Sequence, residues 1–218
     1  MDDELRTDRS SLRRKRDRGL HDRASVNAIL DAALIGHVGF ATSDGPVVLP
    51  TVVARLDDVV YLHGAAGNHM LRTLARGVPA CVTVTLVDGV VLARSAFHHS
   101  INYRSVVLFG VAERVTDPGE QRRAMDAVVD QVAPGRSADA RPPTIEELRA
   151  TLIVRLPIVE GSAKVRNGGP VEEPADLALP IWGGHVPVGM VTGSPVGDDH
   201  VAPGTDPPVY PYRFEPSE

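Results

Sequence analysis

Ser95-Ala-Phe-His-His-Ser-Ile-Asn-Tyr-Arg-Ser-Val106 leads into a long strand candidate, residues 102–115. Just upstream, 79–86 and 90–95 are shorter β-rich runs that meet at Asp88-Gly89, a dipeptide suited to a two-residue hairpin turn. Earlier strands are expected at about 37–43, 46–56 and 59–64, with turns at Ser43-Asp-Gly-Pro46 and Leu56-Asp-Asp58. Downstream, 151–165 is β-rich and reads as a final strand. Short consecutive strands with tight turns make an antiparallel meander, not βαβ units.

Helices punctuate this pattern. Val26, Ile29, Leu30, Ala33 and Leu34 recur at helical spacing, with Asp22 or Ser25 as cap and Gly36 as the expected stop. Residues 67–76 read as a short helix with Met70, Leu71 and Leu74 on one face. Asp117-Pro-Gly-Glu120 opens a helix to about 132: Asp caps, Pro suits the first turn and Glu sits at the third position. Thr144-Ile-Glu-Glu147 has the form of a capping box. About six strands with a few short helices make a small closed or split barrel.

Composition narrows the function. The 218 residues are 43% apolar, enough for a sizeable core, but only 4% aromatic, so Val, Ala and Leu must fill it. A formal charge of −5 argues against general nucleic-acid binding. The single Cys81 lies in an apolar run and reads as a small core residue; it permits no intrachain disulfide. No apolar run is long enough for a membrane helix, and the charged N-terminus lacks an apolar signal core, so a cytoplasmic protein is expected. Three regions are expected: a charged N-terminal arm (1–23), a barrel domain (24–190) and a Gly/Pro-rich tail (191–218). The arm carries Arg13-Arg-Lys-Arg16, offset by Asp2, Asp3, Glu4, Asp8, Asp17 and Asp22. It reads either as a solvated helix or frayed arm, or as a segment packed near an anionic ligand.

Three segments carry a resemblance: Val59-Val-Tyr-Leu-His-Gly-Ala-Ala-Gly-Asn-His-Met-Leu71, Phe97-His-His-Ser-Ile-Asn-Tyr-Arg-Ser-Val-Val-Leu-Phe-Gly110, and Ser162-Ala-Lys-Val-Arg166 with Leu179-Pro-Ile-Trp-Gly-Gly184. Their order and spacing resemble the FMN-binding split-barrel proteins of the pyridoxamine 5′-phosphate oxidase-like superfamily. Within it, the chain is most similar to the flavin-nucleotide-binding branch that includes nitroimidazole-resistance (Nim) proteins. The resemblance implies a mainly β (α+β) fold, a six-stranded antiparallel split β-barrel with short peripheral helices. It implies a homodimer with FMN at the interface. No dedicated metal is expected, because no Cys, Asp or Glu stands at zinc-like spacing beside His63 and His69.

The same resemblance implies a cofactor site. Pro50, Thr51 and Val52 would lie along the flavin ring, meeting it with backbone amides. His63, Gly64 and Ala65 would end the neighbouring strand, the small residues allowing a flat ring to approach. Gly67, Asn68, His69 and Met70 form the turn where the phosphate would sit; His69 stands where oxidases of the superfamily often place a lysine. An exposed helix-start histidine would look the same. Tyr103, Arg104 and Ser105 would reach the flavin of the partner subunit. The planar fork of Arg104 suits a phosphate, although an ion pair on the barrel face fits the residue equally. Trp182 is either an anchor for the tail or a wall of the flavin pocket. His63 is the candidate catalytic residue, with a structural histidine as the alternative.

Two functions follow. One is a flavin-dependent oxidoreductase passing electrons from a donor such as NAD(P)H to a small acceptor, for instance a nitroaromatic. The other is a non-catalytic flavin or haem carrier. The flavin itself is open to a deazaflavin alternative. Adjacent His98 and His99 would point opposite ways on a strand and cannot chelate together. True pyridoxamine-phosphate oxidase activity is not expected, since the C-terminal region offers Arg213 but no dense basic set for a second phosphate.

Overall fold

The computed structural model describes residues 4–212 and 215–216. Residues 1–3 of the expected arm and Arg213 lie outside the described residues. In chain order the elements are β1 (Gly19–Leu20), α1 (Arg23–Ala32), β2 (Ile35–Thr42), β3 (Gly45–Val52), β4 (Ala54–Leu56), β5 (Val59–Ala65), α2 (His69–Leu74), β6 (Pro79–Leu92), β7 (Ser100–Val111), β8 (Glu113–Arg114), α3 (Pro118–Val132), α4 (Arg136–Asp139), α5 (Ile145–Ala150), β9 (Thr151–Pro157), β10 (Gly161–Arg166) and β11 (Gly184–Pro187).

All the pairings among these strands are antiparallel, and they form two sheets. The larger runs β1-β10-β7-β6-β2-β3, with β11 added to β6; the smaller runs β4-β5-β9-β8. Three corners carry the chain between sheets, and each buries an apolar residue: Val53 after β3, Ala112 after β7 and Ile158 after β9. Between the sheets lies one core, built from Val38, Phe40, Leu62, Val82, Val84, Val106, Leu108, Val154 and Leu156 and closed by α1 and α2. This is the split barrel, open rather than closed, with a few more strands than six. The extra count has a local cause. The run 151–165 is not one strand but two in different sheets, because the buried Ile158 turns the chain between them.

The caps act as written in the sequence. Asp22 accepts from Ser25 N (2.8 Å), Asp117 from Glu120 N (2.7 Å), and Thr144 with Glu147 completes its reciprocal box. Other signals were overridden. Gly36 does not end α1, which stops at Ala32; it lies inside β2, where a Cβ would sit 2.4 Å from Val53 Cγ2. The glycine makes room for the corner. Asp88-Gly89 is not a hairpin turn but a bulge within the single strand β6, which pairs with β7 on both sides of it. Cys81 is not in the core. Ala80 and Val82 take the inward positions of β6, so alternation puts Cys81 on the outer face, half-buried opposite Phe109.

The N-terminal arm is not a solvated helix. Leu5 is fully buried, its N–H donates to His21 O (3.2 Å) and its carbonyl accepts from Gly161 N (2.9 Å). Arg9 bonds Glu160 (Nε–Oε1 2.9 Å) and lies 4.5 Å from the centroid of Phe109. One apolar side chain and an ion pair therefore fasten a segment whose average composition looks wholly polar.

Candidate functional site

The expected site residues gather in two places. The first is the edge strand β3 and the end of β5, which touch each other. β3 pairs only with β2 in its sheet, with Pro50 opposite His37 and Thr51 opposite Gly36. One row of its backbone N–H and C=O groups is therefore free of sheet partners. Pro50 is exposed and Thr51 and Val52 are half-buried.

Next to it, β5 delivers His63, Gly64 and Ala65 to the barrel rim, paired with Ile153, Leu152 and Thr151 of β9. His63 is half-buried, and its Nδ1 is buried with no hydrogen-bond partner. Burial pushes its pKa below the ordinary histidine value, so the ring is neutral at pH 7. At Gly64 a Cβ would come within 3.1 Å of Leu71 Cδ1 and 3.3 Å of Asn68 Nδ2, so the strand end presses directly on the helix that follows. Asn68 caps that helix by accepting from Leu71 N (3.1 Å), and its own N–H donates to Ala65 O (2.8 Å). Gly67 faces open space and His69 is exposed, whereas Met70 points into the core. The Met70 side chain cannot reach a ligand at this turn; only its backbone is available there.

The second place is β7, in the larger sheet. Arg104 is already engaged: Nε and Nη2 bond the two carboxylate oxygens of Asp88 at 3.0 and 2.8 Å. The β6 bulge puts Asp88 there, and a sequence reading that makes Asp88-Gly89 a turn has no way to find the pair. A phosphate at Arg104 would have to displace this carboxylate. The bulge is on β6, so β7 alternates regularly and Tyr103 and Ser105 face away from Arg104. Ser105 Oγ contacts Lys164 O at 3.4 Å. Trp182 is 63% exposed, its ring lying beside Gly184, so it is not a core anchor for the tail.

A third cluster was not visible in the sequence. Beyond β10 the chain runs on as a C-terminal tail; its Glu172, with a side chain only 5% exposed, accepts from Arg94 N (3.0 Å) and Arg94 Nη1 (3.1 Å). Glu172 Oε2, Arg94 Nε and Ser95 Oγ are buried without partners. The contact spans 78 positions, so no local pattern announces it. His98 and His99 diverge: His98 Nε2 lies 3.6 Å from Glu173, while His99 Nδ1 meets Ser95 O at 3.0 Å. Among the described residues no three His, Cys, Asp or Glu side chains gather as a metal cage. No described helix is long and apolar enough to cross a membrane.

The β3–β5 edge thus offers free backbone groups along one side, a neutral imidazole with an orphaned nitrogen, and a small-residue turn open to solvent. That set can grip a flat heteroaromatic ring by its edge.

Comparison with known proteins follows the same line. The model of the pyridoxamine 5′-phosphate oxidase family matches residues 22–165. No curated protein matches the chain. Among solved structures, the flavocytochrome Anf3 from Azotobacter vinelandii superposes with a TM-score of 0.86 at 36% identity, over 93% of this chain and 94% of that one. The FAD and haem binding protein from Mycobacterium smegmatis gives 0.84 at 38% identity, over 88% and 94%. A candidate 5-nitroimidazole antibiotic resistance protein from Bacteroides thetaiotaomicron gives 0.58 at 22% identity, over 67% and 86%, which is a likeness of fold alone.

Proposed function

This chain belongs to the pyridoxamine 5′-phosphate oxidase family, and we propose on that footing that it is a redox protein that binds a flavin nucleotide and a haem. The observation that carries the reading is the near-full-length likeness, at 38% identity, to a protein that binds both FAD and haem. The likeness to the nitroimidazole-resistance protein is much lower, so a nitroaromatic acceptor has less support than an electron-transfer role.

The residues fit such groups. The orphaned Nδ1 of His63 is a buried polar atom awaiting a partner. A neutral imidazole can donate to or accept from a flavin ring, or ligate haem iron. Pro50, Thr51 and Val52 supply edge-strand backbone to a ring, Gly64 and Ala65 allow its approach, and Gly67 with Asn68 frames the phosphate end. When bound, the flavin supplies hydride and single-electron chemistry, and the protein sets its orientation and access.

FAD is favoured over the FMN expected from the sequence, on the same likeness. A homodimer is proposed because the outer face of the larger sheet leaves Ile35, Val48, Val87 and Val111 exposed, with Val48 at 62%. NAD(P)H as donor and a small molecule as acceptor complete the proposal.

The test is the absorption spectrum of the purified protein, with mass analysis of what it releases on denaturation. Flavin bands, a Soret band and a released mass equal to FAD are the expected result. A released FMN or deazaflavin would change the nucleotide and leave the flavin reading standing. A colourless protein that takes up neither flavin nor haemin would overturn it.

A further inference from the structure

A cavity of about 290 Å³ lies against the outer side of α2, lined by Ala66, Arg72, Ala75, Arg76, Arg114 and Leu152. Half of its lining residues are arginines. None of the three guanidinium groups has a hydrogen bond or ion pair with another described residue. That sets them apart from Arg9, Arg23, Arg55, Arg94, Arg104, Arg141 and Arg155, each of which holds a carboxylate.

The topology explains the grouping. Arg72 and Arg76 are one helical turn apart across the end of α2, so both project from its solvent side while Met70, Leu71 and Leu74 fill the core. Arg114 comes from β8, whose two residues face opposite ways. The adjacent Glu113 turns to Arg155 (3.0 and 2.8 Å) and offers the cavity no counter-charge. Three like charges thus converge in a chain whose net charge is −5. Such an arrangement opposes itself unless an anion completes it. Ala66 directly follows the His63-Gly64-Ala65 strand end, so the cavity borders the candidate ligand site.

We propose that Arg72, Arg76 and Arg114 form a binding site for the phosphate groups of a nucleotide or another phosphorylated small molecule. Guanidinium forks match phosphate oxygens two at a time, and guanidiniums from a helix and a strand can hold a diphosphate from two sides. The site is defined by phosphate alone, whether the phosphates belong to the flavin or to a second molecule.

The experiment uses the full-length protein as purified. Pyrophosphate is titrated calorimetrically into wild type, R72A/R114A and R72Q/R114Q, with R122A/R123A as a control for the same loss of exposed charge. Flavin content and melting temperature are measured for each. If the phosphates belong to a second molecule, pyrophosphate binds wild type and the control alike and at least 10-fold more weakly to both site variants, with flavin content unchanged. If they belong to the flavin, the site variants lose flavin at least 10-fold more readily at an unchanged melting temperature. Site variants that match wild type within twofold in both measurements overturn the proposal. So does a control that weakens binding as much as the site variants.

Discussion

Replacing Arg94 by Met tests the link between tail and barrel. In the folded protein Glu172 is 5% exposed and depends on Arg94 twice, through the guanidinium and through the backbone N–H. At Gly183 a Cβ would lie 2.6 Å from Arg94 Nη1 and 2.9 Å from Glu172 Oε1, so the tail closes tightly over the pair. Breaking one side of a buried pair typically costs about 3–5 kcal/mol, because the remaining charge is left uncompensated. The Arg94 N–H survives the substitution, which places the expectation near the lower end, about 3 kcal/mol. For a chain of this size that is a fall in melting temperature of roughly 6–12 °C.

The reverse change should cost less. In Glu172→Gln the amide oxygen still accepts from Arg94 N, and a guanidinium 23% exposed can reach water, so about 1–2 kcal/mol is expected. The double variant Arg94→Met/Glu172→Gln should recover more than half of the Arg94→Met loss, since no buried charge remains. Denaturant unfolding of the four proteins gives the coupling energy, and limited proteolysis within 170–187 shows whether the tail lifts first. An Arg94→Met protein that melts within 1 °C of wild type and is cut no faster would refute the idea that this pair holds the tail.

Two further outcomes follow from the same structure. Leu5→Ala should destabilise by about 2–5 kcal/mol, as for a fully buried core leucine, although Leu5 lies in a segment that composition marks as solvated; a loss below 0.5 kcal/mol by urea unfolding would return the arm to the solvent. His63 has a folded-state pKa below its ordinary value of 6.5, so the unfolded chain binds its proton first as pH falls. Its contribution is fully present above about pH 6.5 and is lost on acidification through the lowered value. In His63→Phe the melting temperature of flavin-free protein should therefore depend less on pH between 5 and 7 than in wild type, and an identical slope would contradict the burial argument.

The sequence by itself determined the secondary elements whose signals are local. Asp22, Asp117 and Thr144 cap helices because a cap needs only residues within one turn. Alternation separated Arg104 from Tyr103 and Ser105, and the motif from Val59 to Leu71 placed His63, Gly64 and Asn68 around one strand-to-helix turn. Only the tertiary structure decided the rest, because it depends on contacts between distant positions. It turned the Asp88-Gly89 hairpin signal into a bulge, since a strand with partners on both edges keeps more hydrogen bonds by continuing than by turning. That bulge gave Arg104 its carboxylate. It also converted Gly36 from a helix stop to a corner space, pulled Leu5 into the core and joined Glu172 to Arg94. Each of these follows from the need to bury apolar surface and pair charges across the two sheets, a condition that no window of neighbouring residues contains.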